Sequence, residues 1–405
     1  MLAYLLDWLG LLLRWLHIVA GIAWIGASFY FVWLDNHLQA PGAGERVDPG
    51  VAGELWAVHG GGFYRAQKYR LAPDTLPPTL HWFYWEAYST WLSGFALLCL
   101  LYFLRAEGYL IDPAVAMLSK PMAIGIALGF LIGSWLVYDG LCRSPLGRRA
   151  WALGAVLGTA LCAEAWALCQ LFSGRGAFMV FGSALGSIMV ANVLFVIIPG
   201  QRELVHAKQQ GRALNPVPGL RARQRSVHNT YFTLPVLFVM LSNHYAMTYG
   251  ARYNWLVLIA LSFAGACIRA WFVARHRAAE RSGHVPVLPA LLAAAALAAV
   301  VIALAPASGA KLAAMPAAAT ADEASRMQQI VQLRCAPCHA LHPTLAGFGA
   351  APNGVVLETL DQLTAQLVAV QQQLSARAMP LGNLTVMTED ERTQMLTWIG
   401  QRAPR

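Results

Sequence analysis

The stretch LLLRWLHIVAGIAWIGASFYFVWL, residues 11–34, decides the fold class. At 1.5 Å per residue it is long enough to cross about 30 Å of hydrocarbon as a helix. Seven further apolar stretches lie near residues 80–104, 115–138, 151–172, 177–198, 229–249, 253–273 and 285–305. About eight spans predict an all-α, polytopic membrane helix bundle over residues 1–305, and an even number leaves both termini on one side. Composition agrees, since 58% of the 405 residues are hydrophobic and 12% are charged, against about 25% charged in an ordinary soluble domain. The N-terminal MLAYLLDWLG does not read as a signal peptide: it carries Asp7, no early basic residue, and no small-residue cleavage site closes the run.

The formal charge of +9 would suit nucleic acid, but the cations sit in short loops between apolar runs, so no nucleic-acid partner is expected. The odd-numbered loops hold Arg46, Arg65, Lys68 and Arg70, then Arg143, Arg148 and Arg149, then Arg202 through Arg225, then Arg275, Arg277 and Arg281. The even-numbered loops hold only Arg105, Lys120, Arg175 and Arg252. The positive-inside bias places the odd loops in the cytoplasm of a bacterial inner membrane and both termini in the periplasm. Cys99, Cys142, Cys162, Cys169 and Cys267 are scattered through apolar segments without metal-ligand spacing and read as packing residues.

An Ala-rich linker, residues 306–320, leads to a polar tail, residues 321–405, that contains QLRCAPCHALHP at 332–343. Cys-x-x-Cys-His is the attachment signature of c-type haem. Cys335 and Cys338 would form the thioethers and His339 would ligate iron, giving one covalent haem c in a small class I-like cytochrome c domain. Met379, followed by the loop-fixing Pro380, is the expected sixth ligand, with Met387 as the alternative. Met395 is expected to pack within a helix that opens at a Thr388–Glu391 capping box, and His342 reads as a loop residue. A zinc site lacks a second Cys/His pair.

Histidines at membrane depth default to functional hypotheses. His17 and His244 fall towards the outer face and could ligate a b-type haem from opposite sides. His81 and His228 fall towards the cytoplasmic face, so one or two b-type haems are expected. The alternative is that each histidine hydrogen-bonds to a neighbour across the bundle. Glu164 is either a proton-route residue or a loop glutamate. The segment AVHGGGFYRAQKYRLAP, residues 57–73, combines Gly60 to Gly62 with His59, Arg65, Lys68 and Arg70. Its companion LHWFYWEAYSTWLSG, residues 80–94, supplies Trp82, Phe83, Trp85, Tyr88 and Glu86. Together they suit a flat, anionic molecule that stacks on aromatic rings, with His59, Arg65, Lys68 and Glu86 as candidate catalytic residues. Interfacial Trp, Tyr, Arg and Lys also collect at membrane boundaries for lipid reasons alone.

These strings, with HNTYFTLPVLFVMLSNHY and MPLGNLTVMTEDER, resemble the membrane-bound urate oxidases fused to cytochrome c of purine-degrading bacteria. HIVAGIAWIG also resembles the first helix of smaller haem-binding membrane proteins that include a protoporphyrinogen oxidase. The first resemblance implies oxidation of urate to 5-hydroxyisourate, with electrons passing through haem to a soluble cytochrome c or a terminal oxidase. The competing expectation is a quinol-linked or membrane-anchored electron-transfer module without urate chemistry of its own.

Overall fold

The computed structural model describes residues 2–41, 48, 50–280, 283–305, 321–345 and 351–402. Arg46, Arg281 and the expected linker 306–320 lie outside the described residues.

The chain opens with α1, Leu2–Asn36, and then forms an antiparallel hairpin of β1, Val51–His59, and β2, Gly62–Tyr69. The bundle continues with α2, Trp85–Leu98; α3, Lys120–Arg143; α4, Ala150–Leu171; and α5, Gly174–Asn192. A π-helical turn at Val193–Ile197 runs α5 directly into α6, Ile198–Gln209. Then come α7, Pro216–Ser242; α8, Asn254–Glu280; and α9, Leu288–Ala303. The tail folds as α10, Ala321–Ile330; α11, Leu367–Ser375; and α12, Glu389–Gly400, with shorter helical turns between them.

All eight expected apolar stretches are helical over most of their length, but five helices among the described residues are long and apolar enough to cross a membrane: Tyr4–Asn36, Lys120–Arg143, Ala150–Leu171, Gly174–Gln209 and Asn254–Arg275. The expectation of about eight is corrected accordingly, and the parity argument for both termini on one side goes with it. Each of the other three fails for a visible reason. Helix α2 starts only at Trp85, and although a π-helical turn carries it on to Phe103, its first turn holds Glu86 and its first half is rich in polar and interfacial side chains; α9 has 16 residues. Helix α7 starts well before residue 229, because Asn215 accepts from Val217 N at 3.0 Å and Pro216 takes the first helical position. Its first half therefore includes Arg221, Arg223 and Arg225, and it stops at Ser242.

Helix α5 is the centre of the bundle. Phe178, Phe181, Leu185 and Ile188 are buried along it and pack with Leu168, Phe172, Tyr138 and Leu258 from its neighbours. Gly182 permits the approach of α7, since a Cβ there would stand 2.5 Å from a Val239 methyl.

The tail has its own core of Met327, Val331, Leu363, Met395, Trp398 and Ile399. Its Leu381 and Leu384 side chains rest on Gly108, just beyond the C-terminal end of α2. The hairpin, by contrast, connects the last turn of α1 to the first turn of α2. Tail and hairpin thus occupy opposite ends of the bundle.

Candidate functional site

Gly60 and Gly61 form the two-residue connection between β1 and β2, with φ of +58° and +79°. Positive φ at both central positions is what a right-twisted hairpin needs, so these glycines serve the turn. On the strands, Arg65 donates to Glu54 Oε2 from Nε at 2.9 Å and from Nη2 at 2.6 Å. Gln67 adds a third donor at 3.2 Å, and the guanidinium lies 5.3 Å from the Trp56 ring centroid. Lys68 Nζ lies 2.6 Å from Asp35 Oδ2 and ties the hairpin to the end of α1. His59 is exposed beside the turn. Arg65 and Lys68 are therefore engaged by carboxylates, and an anion would have to compete for them.

The companion string assembles a denser site. Trp24 of α1, Trp82 and Tyr84 before α2, and Tyr88 and Trp91 on α2 pack around Ala87, Val190, Val193 and Ile198. Trp91 Nε1 donates to Ser187 Oγ on α5 at 3.0 Å. Phe83 meets Phe31 edge to face at 4.9 Å. Glu86 lies one turn before Thr90 on α2, and Thr90 O is 3.0 Å from His17 of α1. Glu86 Oε2 is buried without a hydrogen-bond partner, a costly state for a carboxylate. Arg202 of α6 is near enough for its charge to act on Tyr88.

The membrane histidines that make hydrogen bonds make them to neighbouring helices. His17 Nδ1 is held by Thr90 O and by Ser93 Oγ at 3.2 Å, and its ring fills the space a Cβ on Gly94 would need, 2.7 Å away. His244 is exposed in the turn after α7. His228 Nδ1 lies 2.8 Å from the Tyr138 hydroxyl, and His81 is exposed in the coil before α2. In the tail, His339 Nδ1 is bonded to Val355 O at 2.8 Å. Met387 and Met395 are buried in the tail core, and Arg392 donates to Met379 O at 2.7 Å, fixing that loop. Burial, with a smaller effect of the neighbouring Cys338, pushes the Cys335 thiol up to about 11, so it stays protonated at neutral pH.

Among the described residues there is no group of three or more His, Cys, Asp and Glu side chains that could hold a metal ion. That finding overturns the expected cofactors. The haem c assigned to Cys335, Cys338, His339 and Met379 is withdrawn, and so are the b-type haems assigned to His17 with His244 and to His81 with His228.

One functional candidate escaped the sequence reading. Arg269, in the membrane-crossing part of α8, is 7% exposed, with its guanidinium 4.0 Å from the Phe29 ring centroid. Its Nε and Nη2 are buried without partners, as is Ser262 Oγ two turns earlier on the same helix. A lone arginine inside the 253–273 apolar run was the signal available.

Residues 3–305 match the family described as urate oxidase N-terminal. No curated protein and no solved structure matches the chain. The match ends at residue 305, so the resemblance to urate oxidases fused to cytochrome c is corrected: the tail lies outside it, and no metal-holding group is assembled among its described residues. The family match and the five apolar helices support a polytopic membrane protein with a membrane-linked oxidoreductase role.

Proposed function

The chain belongs to the urate oxidase N-terminal family, and from that premise we propose that it oxidises urate to 5-hydroxyisourate. The conversion adds the hydroxyl of one water to the purine and releases two electrons and two protons. Urate is planar and anionic near neutral pH, which suits stacking on Trp82 and Tyr88 with Glu86 accepting a proton. Arg202 supplies positive charge beside this cluster, while the Arg65–Glu54 and Lys68–Asp35 pairs hold the hairpin rigid at the same end of the bundle. The basic loops favour a cytoplasmic hairpin in a bacterial inner membrane, with the tail on the periplasmic side. Soluble cytochrome c or a terminal oxidase would receive the electrons at the end of the chain.

The observation that carries the reading is the family match across the whole bundle; the unpartnered Glu86 oxygen supports assigning the chemistry to the aromatic cluster. The test is anaerobic turnover of urate by the purified, detergent-solubilised protein with ferricyanide as artificial acceptor. Urate-dependent bleaching of ferricyanide with formation of 5-hydroxyisourate is expected, with kcat reduced about a hundredfold or more in Glu86→Gln, the scale of a lost general base. No urate-dependent bleaching in the wild type would defeat the proposal.

A further inference from the structure

A cavity of about 570 Å³ opens between α3 and α4, apart from the aromatic cluster. Its walls are apolar, built from Phe130, Leu157, Leu161, Ile188 and Phe232 among others. Ser134, Glu164 and Tyr138 alone bring polar side chains to it. Ser134 Oγ donates to Glu164 Oε1 at 2.8 Å. The Tyr138 hydroxyl lies 2.8 Å from His228 Nδ1 and accepts from Asn192 Nδ2 at 3.1 Å.

Several observations limit what could occupy it. Both flanking helices are long and apolar enough to cross a membrane, and a carboxyl at that depth is costly enough to suggest a role. Ser134 stands nine residues before the Arg143 end of α3, about 14 Å at 1.5 Å per residue, close to mid-depth in a hydrocarbon core about 30 Å thick. A Cβ on Gly129 or Gly133 would meet nothing within 4 Å, so the space beside them is open. Val137 on the rim is 57% exposed, which puts the mouth on the outer wall of the bundle, facing lipid. An occupant entering there comes from the bilayer, is apolar over most of its surface, and carries a hydrogen-bonding head.

Helix α5 relates the cavity to the proposed urate site. Ile188 lines the cavity, whereas Ser187 holds Trp91 and Val190 and Val193 pack within the aromatic cluster. The two sites are separated by about one helix diameter, 10–12 Å.

We infer that this cavity binds a membrane-soluble quinone, with a head-group carbonyl at the Ser134–Glu164 pair and the tail leaving past Val137 into lipid. Its role as electron acceptor rests on the urate reading. The balance closes: urate, water and quinone give 5-hydroxyisourate and quinol. One carbon–oxygen bond forms from water, and the electron pair reduces the two quinone carbonyls. The two released protons balance those taken up by the quinol oxygens, with Glu164 placed to deliver one.

The test is photolabelling of the full-length protein in phosphatidylcholine nanodiscs, without urate, using an azido-benzoquinone with a short isoprenoid tail. Label is expected on residues 126–138 and 157–167 and should be displaced by unlabelled quinone. Gly133→Leu, which fills the open space, should lower labelling at least tenfold while urate–ferricyanide turnover persists. Glu164→Leu, which removes the donor, should with thermal melting checked alongside weaken quinone binding about tenfold, the equivalent of one hydrogen bond of about 1.4 kcal/mol. Labelling elsewhere, labelling unchanged in both variants, or a bound phospholipid that quinone does not displace would overturn the site. Quinone binding without urate–ferricyanide turnover would defeat the urate reading and leave the site standing. Turnover without specific labelling would do the reverse.

Discussion

Arg65 reaches across the hairpin to Glu54, its Nη2 2.6 Å from Oε2, and Glu54 is 7% exposed. Truncating the arginine leaves a nearly buried carboxylate with fewer donors. Arg65→Ala should therefore lower stability by roughly 1–3 kcal/mol, towards the lower end because a third of the Arg65 side chain is exposed to screening. Thermal unfolding of the single variants and of Arg65→Ala/Glu54→Gln checks it, with the double variant recovering part of the loss. The urate KM is expected to stay unchanged. A raised KM at unaltered stability would mean that the guanidinium meets substrate after all.

The hairpin turn yields a second expectation. Gly60 and Gly61 both sit at positive φ, a region that costs an L-residue about 1–2 kcal/mol. Gly60→Ala and Gly61→Ala should each loosen the hairpin by about 1 kcal/mol, whereas Gly60→Asn, which tolerates the left-handed region, should cost less. Limited proteolysis between residues 55 and 65 reads the difference. Equal cleavage of all three variants would refute the turn account.

These residues show how much was legible in the sequence. The apolar runs gave the helical class, and the Thr388–Glu391 capping box is present, with Thr388 Oγ1 accepting from Glu391 N at 3.2 Å. The count of crossings was less legible, because a hydropathy window that opens at residue 229 misses the Asn215 cap and the arginine-bearing turns that α7 includes. The Gly60–Gly62 run looked like a ligand loop because glycine permits both close backbone approach and positive φ; only the pairing of His59 with Gly62 separates the two. The haem expectation failed for a related reason. A contiguous run such as Cys335–His339 proposes ligands, but whether donors such as His17 and His244 converge depends on helix ends and rotations that local sequence does not encode. Glu86 was legible as a lone acid among aromatics, while its missing partner was not.

The tail should respond to acid through Glu391. Burial alone would raise its carboxyl, but hydrogen bonds from Arg334 and from the Thr388 backbone N–H, together with the Arg334 charge, hold it below its ordinary value. A depressed carboxyl contributes stability above its unfolded pKa of about 4.3, and that contribution fades as pH falls through the lower folded value. Thermal unfolding of the tail, followed by limited proteolysis within residues 389–400, should therefore show an acid-side loss, shallower in Glu391→Gln. Identical pH dependence in the two proteins would remove Glu391 from the account.

Arg269 gives the last expectation. Its guanidinium is buried over Phe29, and two of its nitrogens have no hydrogen-bond partner. An unpaired buried charge carries a desolvation cost that stacking on one ring, worth about 2 kcal/mol when desolvated, does not offset. Replacing even a paired set of buried charges by apolar side chains of similar volume is often neutral or stabilising by about 1–4 kcal/mol, and an unpaired charge has less attraction to lose. Arg269→Met should accordingly melt no lower than the wild type in the same detergent, while Arg269→Ala should melt lower because it also opens a cavity beside Phe29. If Arg269→Met instead melts well below the wild type, the guanidinium is stabilising the bundle, and removing an anionic lipid or solute that supplies its counter-charge should reproduce the loss in the unaltered protein. Melting curves of wild type and both variants, before and after exhaustive delipidation, separate these outcomes.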